Sequence, residues 1–118
     1  MKIYGIKNCN TVQKTLTWLK EKNVDFEFHD FKKSGVSEDK LKAWAGQVGW
    51  EAMLNKKGTT WKQLDPALQN SIRSQEAAFK LMQDKTSVIK RPVVETEGGK
   101  IVLGFNEDQL SELINGKY

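Results

Sequence analysis

The chain has 118 residues, an apolar share of 38%, a charged share of 29% and a formal net charge of +4. At this length one domain, spanning 1–118, buries roughly 65% of its unfolded surface without staples. There is no run of about 18 apolar residues, "MKIYGI" is short for a signal peptide, and a lone cysteine closes no internal disulfide. Membrane insertion, export and a cysteine-rich zinc module are therefore not indicated, and the cytoplasm is the expected compartment. Only two arginines stand among 19 basic residues, and the densest lysine clusters are "FKK" and "NKKG". That composition is poor in bidentate readers and points away from nucleic acid, toward solvation or weak steering of small anions.

In chain order, Lys2 to Ile6 reads as a short strand. From Thr11 to Lys22 the apolar positions Val12, Leu16 and Leu19 mark one face of a helix, with Asn8, Asn10 and Thr11 as candidate N-caps and Asn23 as the stop. Val24 to Phe28 alternates apolar and polar residues, the period of a strand with one buried face. Strand, helix and strand form a βαβ unit with parallel strands, and the loop after the first strand opens at the carboxyl edge of the sheet. Cys9 lies in that loop.

The middle of the chain, about 37–84, is helical. Ser37 caps a stripe of Leu41, Trp44, Ala45 and Val48 that Gly49 ends, and "WEAML" adds a turn. After the polar loop "NKKGTTW", Asp65-Pro66 opens a helix whose face continues through Leu68 and Ile72, and Ser74 caps a segment bearing Ala78, Leu81 and Met82. Then "RPVVETEGGKIVLGF" offers two strands around a two-residue hairpin signal at Gly98-Gly99. "NEDQLSELINGK" closes as a helix with an Asn cap, an acidic first turn and a Gly116 stop. The order β-α-β, helical insertion, β-β-α, with a thiol after strand one and a proline opening the third strand, is an α/β, thioredoxin-like layout with a mixed central sheet.

Four blocks, "YGIKNCNTVQKTLTWL", "FEFHDFKKSG", "GWEAMLNKKGTTWKQL" and "VIKRPVVE", together resemble the arsenate reductase family, in particular its small YffB-like members related to the Spx regulators. The resemblance covers nearly the whole chain. It implies that Cys9 is the catalytic thiol, that Arg91 helps bind an oxyanion, and that Pro92 is cis and faces the thiol.

The residues around Cys9 support a reactive thiol on their own chemistry, beside the plainer reading of a buried filler. A thiol attacks as thiolate, and helix N-termini or nearby cations lower its pKa. The amides of Asn10, Thr11 and Val12 are placed to face the sulfur, Asn8 is a polar flank, and Lys7 adds charge. Arg91 supplies a planar fork for an oxyanion or a carboxylate of glutathione. Asn55 and Lys56, in the loop that matches an arginine-bearing loop of the arsenate reductases, are further candidates for binding substrate or glutathione.

The departures from the family pattern redirect the expectation. Reductases that act on arsenate carry further arginines where this chain has Asn55, Lys56 and Lys57, and again at Gly104 and Phe105, so arsenate is not the expected natural substrate. Spx regulators sense oxidation through two cysteines three residues apart, and Val12 occupies the partner position here. His29, the sole histidine, is a general-base candidate, with a structural role favoured because it is expected to turn out of the strand away from the thiol edge. Trp18, Trp44, Trp50 and Trp61 read as core rather than as a stacking platform.

The expectation is a thiol-dependent reductase with Cys9 as nucleophile, no bound cofactor or metal, and glutathione as co-substrate. Glutathione or a glutaredoxin-like protein would resolve the intermediate, and the substrate would be a small oxyanion or a disulfide. The alternative is an Spx-like protein that docks on RNA polymerase or another partner without turnover.

Overall fold

A computed structural model describes residues 1–115. In chain order its elements are β1 (Lys2–Gly5), α1 (Asn10–Glu21), β2 (Glu27–Asp30), α2 (Phe31–Ser34), α3 (Glu38–Val48), α4 (Trp50–Met53), α5 (Thr59–Lys62), α6 (Pro66–Ser71), α7 (Gln75–Asp84), a 3-10 turn (Thr86–Val88), β3 (Val93–Glu95), β4 (Ile101–Leu103) and α8 (Glu107–Asn115). The Gly116 helix stop lies outside the described residues. The chain divides into two compact units: one joins Met1–Ser34 with Arg91–Tyr118, and the other is Gly35–Lys90.

The first unit is a mixed four-stranded sheet of order β2-β1-β3-β4. β1 and β2 run parallel, and β1, β3 and β4 pair antiparallel. Ile3 lies opposite both Phe28 and Val94, and Val94 lies opposite Val102, so these four side chains share one face. Trp18 and Leu19 of α1 and Leu110 and Leu113 of α8 pack into the same cluster as Ile3, Val94 and Val102. Each such buried side chain contributes about 1.5–3 kcal/mol, which makes this layer the main stabilising element of the unit. The unit has the thioredoxin-like α/β architecture.

The second strand begins later than its alternation implies, at Glu27 rather than Val24. The cause is how α1 ends. Asn23 takes a positive φ of 58°, its N–H donates to the Lys20 carbonyl at 3.0 Å, and the Val24 N–H donates to the Leu19 carbonyl at 3.0 Å. That is a Schellman stop, and it commits the Val24 amide to the helix end while the Val24 side chain joins the core. Within α1 the buried face is Val12, Thr15, Trp18 and Leu19, with Leu16 only half-buried.

The hairpin loop is one residue longer than the Gly98-Gly99 signal implies. The Thr96 N–H donates to the Lys100 carbonyl at 2.9 Å, which leaves Glu97, Gly98 and Gly99 as a three-residue loop. Gly99 sits there at φ 91°, the left-handed position of such a loop. At α8, Asn106 caps as its sequence suggests, its Oδ1 accepting from the Gln109 N–H at 3.0 Å.

The second unit is helical. Ser37 caps α3, and Leu41, Trp44 and Ala45 are buried, while Val48 is exposed. Asp65 caps α6 ahead of Pro66, yet α6 buries nothing and Leu68 is exposed, so the expected continuous face ends before it. The stretch read as a polar loop contains the one-turn helix α5, which buries Trp61. Trp44 is buried, as is Trp18 in the first unit, whereas Trp50 is half-buried. A bridge between Leu54 and Ile89 ties the end of α4 to the segment after the 3-10 turn.

Candidate active site

β1 stops at Gly5, and the chain reverses through a turn in which the Cys9 N–H donates to the Ile6 carbonyl at 3.2 Å. Cys9 then becomes the N-cap of α1, extended at φ −91° and ψ 125°, and its carbonyl accepts the first helical bond, from Gln13, at 3.0 Å. The cap is therefore the thiol residue itself rather than Asn8, Asn10 or Thr11. Asn10 is the first helical residue, and both asparagines are exposed. Gly5 is needed for the close seat of the helix: a Cβ there would lie 2.8 Å from Val12 Cγ2.

Arg91 reaches the thiol through strand order. β3 runs antiparallel to β1 with Tyr4 opposite Val93, so the start of β3 lies beside the end of β1. Arg91 and Pro92 immediately precede that start, the Arg91-Pro92 peptide is cis, and the Pro92 carbonyl accepts from the Gly104 N–H at 2.8 Å. Arg91 is half-buried, with its Nε shielded from solvent.

Partial burial pushes the Cys9 pKa up, but it is outweighed. The Val12 amide, a hydrogen bond from the Arg91 side chain, the Thr11 amide and the Arg91 charge together hold the thiol below its ordinary value. The structure thus brings Cys9, Thr11, Val12 and Arg91 together. Lys7 is exposed and lines a groove beside β2, while its carbonyl accepts from Gln13 Nε2 at 2.7 Å.

Asn55 and Lys56 belong to the helical unit. The Asn55 N–H donates to the Val88 carbonyl at 2.7 Å, and its side chain stands against Gly58, where a Cβ would lie 2.7 Å from Nδ2. The Lys56 ammonium lies 5.5 Å from the Trp61 ring centroid, a cation–π contact within its own unit.

His29 does not turn out of its strand. It pairs with Tyr4 within the sheet and packs its ring 4.9 Å from Tyr4 and 6.1 Å from Phe31. Gly5, whose missing Cβ seats the helix, and Gln13, whose amide ties the cysteine loop, complete the turn, and an exposed Gln in a first helical turn carries no sequence signal until the loop carbonyl is placed.

The sequence profile of the ArsC family matches residues 4–113. An uncharacterized protein of Haemophilus influenzae is 37% identical over 107 residues, covering 91% of this chain and 92% of that one. A global transcriptional regulator Spx of Streptococcus pyogenes is 24% identical over 113 residues, covering 94% and 82% respectively. Among solved structures, a YffB protein shares 40% identity with a TM-score of 0.86 over 93% of this chain and 95% of its own. An arsenate reductase (ArsC) related protein from Brucella melitensis shares 37% with a TM-score of 0.72, over 96% and 92%. With that extent of match over the strands, the thiol turn and the Arg91-Pro92 segment, the chain belongs to the ArsC family.

Proposed function

We propose that this protein is a thiol-dependent reductase in which Cys9 is the nucleophile and glutathione the reductant. The observation that carries the reading is the thiol at the first turn of α1, held below its ordinary pKa by two helix amides and Arg91 despite partial burial. In the first step the Cys9 thiolate attacks one sulfur of a small disulfide; a Cys9–S bond forms, the substrate S–S bond breaks, and the other half leaves as a thiolate that solvent protonates. Arg91 stabilises the negative charge that moves between the sulfurs. With no second cysteine in the chain, the thiolate of glutathione attacks the mixed disulfide and frees Cys9. A second glutathione thiolate attacks the glutathione sulfur of the new mixed disulfide between substrate and glutathione, the remaining substrate half leaves as a thiolate that solvent protonates, and oxidised glutathione is formed, which completes the two-electron reduction.

Arsenate lies outside this proposal as the natural substrate, because Asn55, Lys56 and Lys57, and then Gly104 and Phe105, stand where arsenate reductases carry their additional arginines. The test is intact-mass analysis of wild type and Cys9→Ser after oxidised glutathione, followed by single-turnover reduction with glutathione. A glutathione adduct on wild type alone, discharged by added glutathione, is the expected result. A wild-type chain that takes up no adduct would end the reading.

A further inference from the structure

Phe105 has no part in the reductase chemistry above, yet it stands at the same edge of the sheet as the thiol. Tyr4 lies opposite Val93, and Val93 lies opposite Leu103, so these residues form one row across β1, β3 and β4. Beyond that row β1 leads on to Cys9, Arg91 and Pro92 precede β3, and β4 runs into Gly104 and Phe105. Strand order therefore sets Arg91 between the thiol turn and Phe105, with β1 and β4 two strand spacings, about 10 Å, apart. The Gly104 N–H, donating to the Pro92 carbonyl at 2.8 Å, ties the last of these segments to the middle one.

Gly104 turns the chain at φ 75°, and a Cβ on it would meet no described atom within 4 Å, so this side of the loop is open. Phe105 then folds back onto α1. Its ring meets Trp18 edge-on, with centroids 6.5 Å apart, and the Lys14 ammonium stands 5.3 Å from its centroid. Trp18 is buried in the core cluster, whereas Phe105 is half-buried at its margin and Lys14 is exposed. The ring thus keeps part of its surface, and the ammonium its charge, within reach of a ligand. A planar apolar body that carries an anion is complementary to that pair.

We propose that Phe105 and Lys14 select the departing half of the substrate disulfide, favouring an aromatic thiol that bears a carboxylate. The proposal rests on the reductase reading and names a substrate class for it. The Cys9 thiolate attacks the near sulfur, a Cys9–S bond forms as the S–S bond opposite it breaks, and the electron pair leaves on the far sulfur as an aryl thiolate. Displacement at sulfur is in line, so the departing group extends away from Cys9, past Arg91, to the Phe105 ring. Two sulfur–sulfur lengths of about 2 Å each and one aryl ring span most of that path. The half retained on Cys9 is removed by glutathione as before.

Single-turnover kinetics of the full chain with three disulfides test it: dithiobis(nitrobenzoate), aromatic and anionic; dithiodipyridine, aromatic without a carboxylate; and hydroxyethyl disulfide, neither. Phe105→Ala should slow both aromatic reagents by about tenfold, as expected for losing one aromatic contact, and leave hydroxyethyl disulfide and iodoacetamide within about twofold. Phe105→Leu, which keeps an apolar side chain against Trp18, should give the same pattern at smaller size and decides the matter should the alanine variant not fold. Lys14→Gln should slow dithiobis(nitrobenzoate) alone, by about threefold. Losses uniform across the three disulfides, or no loss with any of them, would overturn the proposal and leave the reductase reading standing. A wild-type Cys9 that alkylates yet reacts with none of the three would sink the reductase reading and this proposal together.

Discussion

Gly5→Ala tests whether the thiol depends on how closely α1 is seated on β1. The added methyl would stand 2.8 Å from Val12 Cγ2 and 3.4 Å from Cγ1, the first of these closer than real Cβ contacts allow. Val12 cannot swing clear, because a β-branched side chain in a helix has one strongly preferred χ1 and Val12 is fully buried. Overpacking of this kind costs about 1–3 kcal/mol, and the lower chain entropy of alanine returns roughly 0.4–1 kcal/mol, leaving a net loss of about 1–2 kcal/mol. For a chain of 118 residues the unfolding entropy is about 0.25 kcal/mol/K, so Tm should fall by about 4–8 °C. The strain falls on the first turn of α1, whose Thr11 and Val12 amides favour the thiolate, so the alkylation pKa of Cys9 should rise in the same variant. Thermal melts and the pH profile of iodoacetamide alkylation read the two effects. Adding Val12→Ala should recover stability relative to additivity, with a coupling of about 1 kcal/mol. A Gly5→Ala chain as stable as wild type, with an unshifted alkylation profile, would refute the reasoning.

Three further outcomes follow from the same geometry. Because the folded Cys9 thiol loses its proton at lower pH than the unfolded one, the unfolded chain holds more protons between the folded value and about 8.5. The stability of wild type relative to Cys9→Ser should therefore rise with pH across that window and fall away as pH drops through the folded value, as urea titrations at stepped pH will show. Arg91→Lys keeps the charge but loses the fork, so it should raise the alkylation pKa and slow adduct formation with oxidised glutathione by about tenfold without abolishing it, measured by stopped alkylation and intact mass. Trp44→Ala removes a fully buried indole from the helical unit and should cost about 3–5 kcal/mol in urea unfolding.

What the sequence determined by itself is local. Ser37, Asp65, Ser74 and Asn106 each cap the helix their side chains predict, because capping needs only a hydroxyl, amide or carboxylate within three residues of the donor amides. The two parallel strands and the final antiparallel pair follow from alternation and from a crossover long enough for a helix. Cys9 at the start of α1 is readable for the same reason. The tertiary structure decided the rest. The start of β2 moved because a Schellman stop took the Val24 amide, a competition between neighbouring elements that alternation cannot register. Leu68 is exposed although its spacing reads as a buried face, because periodicity states which side of a helix is apolar but not whether anything covers it. The arrival of Arg91 at the thiol is the deepest case. Arg91 arrives from the far end of the chain because β3 pairs antiparallel with β1 and sets its first residues beside the end of that strand, where the Arg91 side chain donates to the sulfur. Pairing partners and register are properties of the assembled sheet, and side chains distant in sequence meet only once they are set.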